Sequence, residues 1–362
     1  MTSTPDTSET SVPAPRRSFG IAVATYALAA LSLAWPALSG QFLVNPRSDQ
    51  YIAGFAFREF AAVSLREGSG FPIWNPYLFG GMPYVAAMHG DIFYPTFLLR
   101  MILPTDVAMT WGFIIHVFLA GLFTYIFLRS LGLGFFGSLV GGLAYMMSGN
   151  VAGLVSPGHD GKLYISALLP MALFLVVRGV RDGRHWAWGA LAVTDGLAVL
   201  SPLPQLLQYM LLVAGALGLF LAFADTGAGA LPRPTALRRL AAAAVAVILG
   251  GAMGAIQYLP VREYVPWSPR ALGKGWEEAT SYSMPPEEMV NFWVPQFSGV
   301  LDRYWGDNVI HLHSEYLGVA VILLAALAFA KGRVVISRNL IWFFTGVFAI
   351  ALLWAPPPLA LP

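Results

Sequence analysis

The strongest constraint on this chain is a series of apolar runs, most of them close to the roughly 20 residues that a helix needs to cross a bilayer. The first extends from Phe19 to Leu38. Others follow at 106–128, 134–155, 163–178, 187–201, 205–224, 240–258, 315–330 and 339–354. Hydrocarbon offers no water to backbone amides and carbonyls, so such runs must satisfy their own hydrogen bonds as helices. Charged residues make up 11% of the chain, against about 25% in a soluble domain. The sequence therefore predicts an all-α polytopic membrane protein with about nine transmembrane helices. The chain has no cysteine, which excludes disulfides, thiolate metal sites and cysteine nucleophiles.

Ser, Thr, Pro and acidic residues dominate the first fifteen positions, so a disordered cytoplasmic tail over 1–18 is expected. Arg16-Arg17-Ser18-Phe19 looks like a twin-arginine signal, with Ala37-Leu38-Ser39 as a cleavage site. The apolar run is longer than the roughly 7–15 residues of a signal core, and an uncleaved first helix is the better reading. With the N-terminus inside, the inner segments hold 12 of the 21 Lys and Arg residues in the shorter set of loops, as cytoplasmic loops do. Ser201-Pro202-Leu203-Pro204 forces a tight reversal between two spans, because proline lacks a backbone donor. The multi-spanning domain covers 19–354, and 355–362 form an abrupt end expected of a truncated product.

Two outer loops, 39–105 and 259–314, are long enough to carry function, with short amphipathic helices inside them. In the first, Tyr51, Ile52, Phe55 and Phe60 are expected in the interface while Arg58, Glu59 and Arg66 face water. Asp49 heads this run. Ser48-Asp49 reads first as a helix cap and second as a surface carboxylate that acts as base or metal ligand. Trp74-Asn75-Pro76 and Gly80-Gly81-Met82-Pro83 dictate turns, as an interfacial anchor or the rim of a sugar or lipid pocket. Asp91 reads as a second carboxylate facing Asp49 or as a turn residue. His159, Asp160 and Lys162 crowd one short turn, where a lysine suits charge developing on phosphate. In the second loop, His311-x-His313-x-Glu315 is better read as a solvated loop than as a metal site. His116 and Asp195 fall inside spans, where ionisable groups are costly.

Several motifs together resemble the YfhO family of bacterial membrane proteins. They are Asp49-Gln50-Tyr51, Trp74-Asn75-Pro76 with Gly80-Gly81-Met82-Pro83, Phe93-Tyr94-Pro95, Ser148-Gly149-Asn150, Gly158-His159-Asp160-Gly161-Lys162, Tyr282-Ser283-Met284, Val294-Pro295-Gln296-Phe297-Ser298-Gly299 and His313-Ser314-Glu315-Tyr316-Leu317-Gly318. Their order and spacing cover nearly all of the chain after the tail. The resemblance implies a GT-C-type glycosyltransferase fold with a catalytic first outer loop. It also implies sugar transfer from a polyprenyl-phosphate donor to a cell-envelope acceptor on the outer face of the bacterial cytoplasmic membrane.

In that reading Asp49 is the catalytic carboxylate, with Asp91 beside it. Tyr51, Trp74, Asn75, His159, Asp160, Lys162 and Arg262 are the substrate-binding candidates. A divalent cation is left open as cofactor. The partners expected are the lipid-linked donor, a glycan or polymer acceptor and membrane lipid, with no nucleic acid. Family members are usually longer than this chain. The rival readings are a transporter or flippase of a lipid-linked substrate working through His116 and Asp195, and an inactive membrane fragment.

Overall fold

The computed structural model describes residues 15–355 apart from 202, 226–229, 274, 277–279, 282, 309–310, 313 and 332–336. The tail up to residue 14, Tyr282, His313 and the prolines after Ala355 therefore lie outside the described residues. The chain is 69% helical with almost no strand. In chain order the helices are α1 (Pro15–Leu33), α2 (Trp35–Leu38), α3 (Phe55–Arg66), α4 (Phe97–Arg100), α5 (Thr105–Ser130), α6 (Phe135–Met146), α7 (Gly149–Ala152), α8 (Asp160–Val176), α9 (Trp186–Leu200), α10 (Pro204–Phe223), α11 (Arg233–Met253) and α12 (Ala255–Tyr264). Two more apolar helices, Val319–Lys331 and Arg338–Trp354, follow the second outer loop.

Four helical runs are long and apolar enough to cross a membrane: Thr105–Ser130, Asp160–Arg181, Pro204–Phe223 and Arg233–Met253. A fifth results if α6 and the helical turns of 149–155, bent by 45° against each other, count as one. The expectation of about nine spans is thus met only by four or five helices of full length. The shortfall has a physical source. The helix that ends at Leu200 has 15 residues and the last two have 13 and 17, short of the roughly 20 that span hydrocarbon unaided.

At the centre stands α8, packed against α5, α9 and α10. One apolar core gathers around its C-terminal half, with Leu168, Leu175, Leu191, Met210 and Leu217 buried. A second joins α1, α5 and α6 around Tyr26, Phe113, Val117 and Met146. A third core belongs to the first outer loop alone: Phe57, Ala61, Tyr84, Ile92 and Phe97 pack together. That loop also contains the two-residue strands β1 (Trp74–Asn75) and β2 (Met82–Pro83), antiparallel, with Trp74 opposite Pro83 and Asn75 opposite Met82. The turns expected from Pro76, Gly80 and Gly81 connect them. Gly80 and Gly81 take positive φ, which costs glycine little.

Candidate functional site at the outer end of the central helix

Both long loops dock on the turns that lead into α8, and a glycine makes each docking possible. Gly158 has φ +74°, and a Cβ there would lie 2.3 Å from Gln50 Cγ. With no side chain in the way, the Gln50 amide donates to the Gly158 carbonyl at 2.8 Å and Asp49 N approaches Pro157 O at 3.3 Å. Gly149 plays the same part for the second loop. Its amide donates to Tyr316 O at 2.9 Å, and a Cβ there would lie 2.4 Å from Ser314 O. The motifs Ser148-Gly149-Asn150 and Ser314-Glu315-Tyr316 are therefore two halves of one contact.

Under the first docking lies a buried ionic network. Asp91 is fully enclosed and accepts from Arg100 Nη2 at 2.6 Å, Arg58 Nε at 3.0 Å and Thr96 Oγ1 at 2.5 Å. Arg58 also donates to Gln50 Oε1 at 2.7 Å and to the Asp160 carboxylate. Two cations thus face two anions. Desolvation raises the Asp91 pKa, but Arg100 and Arg58 outweigh it and hold the group well below the usual carboxylate range. Burial likewise works against the Arg58 charge, and Asp160 and Asp91 reverse it. Arg58 was expected to face water; it is 2% exposed. Its face of the helix is set by Gly54, where a Cβ would strike Gln50 Oε1 and Arg58 Nη1. The spacing Gln50, Gly54, Arg58, polar–small–polar at four-residue intervals, is the signal that marks an inward-facing arginine.

Asp49 stands apart from this network. Its side chain is 74% exposed, with Oδ2 3.5 Å from His159 Nε2. The bond from His159 lowers its pKa below the usual carboxylate value against some desolvation, and His89 and Lys162 add to the effect. Asp49 caps nothing through its side chain; Ser48 Oγ accepts from Tyr51 N at 3.3 Å instead. Lys162, one turn into α8 and half-buried, has both Asp49 and Glu315 within electrostatic range. It makes no ion pair among the described residues. Two carboxylates thus lie within electrostatic range of the Lys162 ammonium where the two loops meet.

The remaining candidates separate into distinct places. Asp91 does not face Asp49; it is sealed between two arginines. Asp160 is engaged by Arg58 and by the Gly161 amide at 2.8 Å. Asn75 is buried and accepts from Tyr77 N at 3.0 Å, which fixes a turn. Trp74 covers Gly81, where a Cβ would sit 2.6 Å from the indole nitrogen. Tyr51 is exposed at 59%. Arg262 is exposed on α12 with no ion pair among the described residues. No group of three His, Asp or Glu side chains converges as a metal site among the described residues.

In the second loop, His311 Nε2 lies 2.9 Å from both Glu315 oxygens, and Nδ1 lies 2.9 Å from Gly299 O and 3.3 Å from Ser298 Oγ. The order Ser–His–Glu mimics a hydrolase triad. A carbonyl only accepts, so Nδ1 carries a proton and is no base for Ser298, which is itself fully buried. His116, inside α5, is equally committed: Nδ1 donates to Gly112 O at 2.7 Å and Nε2 accepts from the Tyr94 hydroxyl at 2.9 Å. Compared with protein-family models, with curated proteins and with solved structures, the chain has no significant match.

Proposed function

We propose that this protein is a membrane glycosyltransferase of GT-C type that moves a sugar from a polyprenyl-phosphate donor to a cell-envelope acceptor on the outer face of the bacterial cytoplasmic membrane. In this reading the chain belongs with the YfhO-like proteins its motifs resemble. It crosses the membrane about nine times with a cytoplasmic N-terminus, the shorter helices completing spans by packing against the long ones.

One observation carries the proposal. An exposed, ionised Asp49 and Lys162, which makes no ion pair among the described residues, share the outer end of a helix whose remaining length is apolar. A lipid-linked phosphosugar presents its phosphate at that depth and its anomeric carbon just outside it. The acceptor hydroxyl oxygen bonds to the anomeric carbon as the bond from that carbon to the phosphate oxygen breaks. The hydroxyl proton goes to Asp49, and the departing electron pair stays on the phosphate, beside the Lys162 ammonium. His159 orients the carboxylate. The exposed Trp74 and Tyr51 offer flat faces for a sugar ring.

The proposal is tested by the binding of a polyprenyl phosphate to the purified protein in nanodiscs. Lys162→Gln should weaken it about tenfold, the effect of roughly 1.4 kcal/mol, and Asp49→Asn should not. Equal binding by wild type and Lys162→Gln contradicts the phosphate role. The rival transporter reading needs mobile polar groups inside the membrane. His116 is locked by Tyr94 and Gly112, which leaves that reading Asp195 alone.

A further inference from the structure

Asp195 is one of the few ionisable groups within the apolar helices, and its surroundings differ from those of every other carboxylate described. It is 2% exposed, and among the described residues neither Oδ1 nor Oδ2 has a hydrogen-bond partner. The seam that encloses it is built of small residues. A Cβ on Gly250 would lie 2.7 Å from Asp195 Cβ, 2.9 Å from Ala192 O and 3.0 Å from Gly196 N. Gly250 of α11 and Gly254 just past its end thus meet Ala192, Gly196 and Val199 of α9 in a small-xxx-small packing that brings two helix backbones together. Past the break at Gly254, both amide atoms of Gln257 in α12 are buried without a hydrogen-bond partner among the described residues. The hydroxyl of the next residue, Tyr258, is also buried without one.

An isolated carboxylate removed from water is costly by several kcal/mol or more, and proteins avoid it by pairing the group or by neutralising it. Pairing is not available here. Although α8, α10 and α11 all pack on α9, among the described residues none brings a charged partner to Asp195. Asp91, by contrast, meets the same cost with two arginines.

We propose that Asp195 is an intramembrane proton-binding site: a carboxylic acid kept neutral in the seam of α9 and α11. The site is separate from the outer-end site, and its proton does not enter the sugar-transfer step.

The test is labelling of the full-length protein in its native membranes with dicyclohexylcarbodiimide, which partitions into lipid and reacts with protonated carboxyl groups. The acid proton moves to a carbodiimide nitrogen, the carboxyl oxygen bonds the central carbon, and rearrangement leaves a stable N-acylurea. Peptide mass spectrometry should place the adduct on Asp195 at pH 7, with at least a tenfold fall as pH is raised to the point where the acid ionises. Asp195→Asn should carry no adduct there, and Asp195→Glu should retain it, which keeps the test sound if the Asn variant folds poorly. A water-soluble carbodiimide should not reach the residue. An unlabelled Asp195 in folded wild type overturns the proposal. Protection by sodium or lithium but not by choline at equal ionic strength also overturns it, because a metal cation would then be the occupant. Asp49→Asn should label as wild type does, so loss of transfer and loss of this site are read independently.

Discussion

Arg58, on the amphipathic helix of the first outer loop, donates to the carboxylate of Asp160, the first residue of α8. The same guanidinium holds Asp91. One buried side chain therefore ties the loop that carries Asp49 to the helix that carries Lys162.

Removing the anion at its centre should unfold the outer layer before the helices. Asp91→Ala leaves Arg100 buried without its anion and Arg58 with Asp160 alone, a defect that costs about 3–5 kcal/mol. Thermal unfolding in detergent should show the loss. Asp91→Ala unfolding at the wild-type temperature would show that the network does not hold the loop in place.

Gly158 is expected to be as sensitive as any charged residue. At φ +74° an alanine is strained by about 1–2 kcal/mol, and its methyl would also collide with Gln50. Gly158→Ala should therefore lower the unfolding temperature and separate Asp49 from His159. Cross-linking between cysteines at 49 and 159 measures that separation; undiminished cross-linking would count against this docking.

The second loop is expected to loosen with rising pH. Burial favours neutral His311, but Glu315 and the Gly299 carbonyl outweigh it, and its pKa is raised above the ordinary histidine value. A group whose folded pKa is raised stabilises fully below its unfolded pKa, near 6.5, and loses that contribution as pH climbs through the folded value. Hydrogen exchange over 298–316 should accelerate across that range in wild type and lose most of its pH dependence in Glu315→Gln. Identical profiles for the two proteins would remove the His311–Glu315 pair as the cause.

The helical character of the chain was legible because hydrocarbon-length apolar runs leave the backbone few alternatives. The number of full-length spans was not. Apolar runs such as 187–201 give composition, whereas a helix's length is decided by breaks at Ser148-Gly149 and Gly254 that sequence periodicity does not weigh. The turns around Trp74 and Gly81 were readable from proline and glycine. Asp49 and Lys162 were readable as candidates but not as neighbours, since their approach depends on Gly158 receiving Gln50 across a hundred residues. Arg58 misled for a related reason: on an amphipathic helix an arginine looks solvent-facing until its buried carboxylate partners are known.

The most direct measurement is sugar transfer by purified protein in nanodiscs, given a polyprenyl-phosphate hexose and an envelope-glycan acceptor. Wild type should release polyprenyl phosphate in step with glycan elongation. Asp49→Asn, which keeps the shape of the side chain and removes its charge, should fall by about a hundredfold or more, within the range that a general base contributes. The acid limb of the wild-type profile should be set by a carboxylate below the usual range, consistent with the depressed Asp49 pKa. Transfer by Asp49→Asn at the wild-type rate would contradict the account.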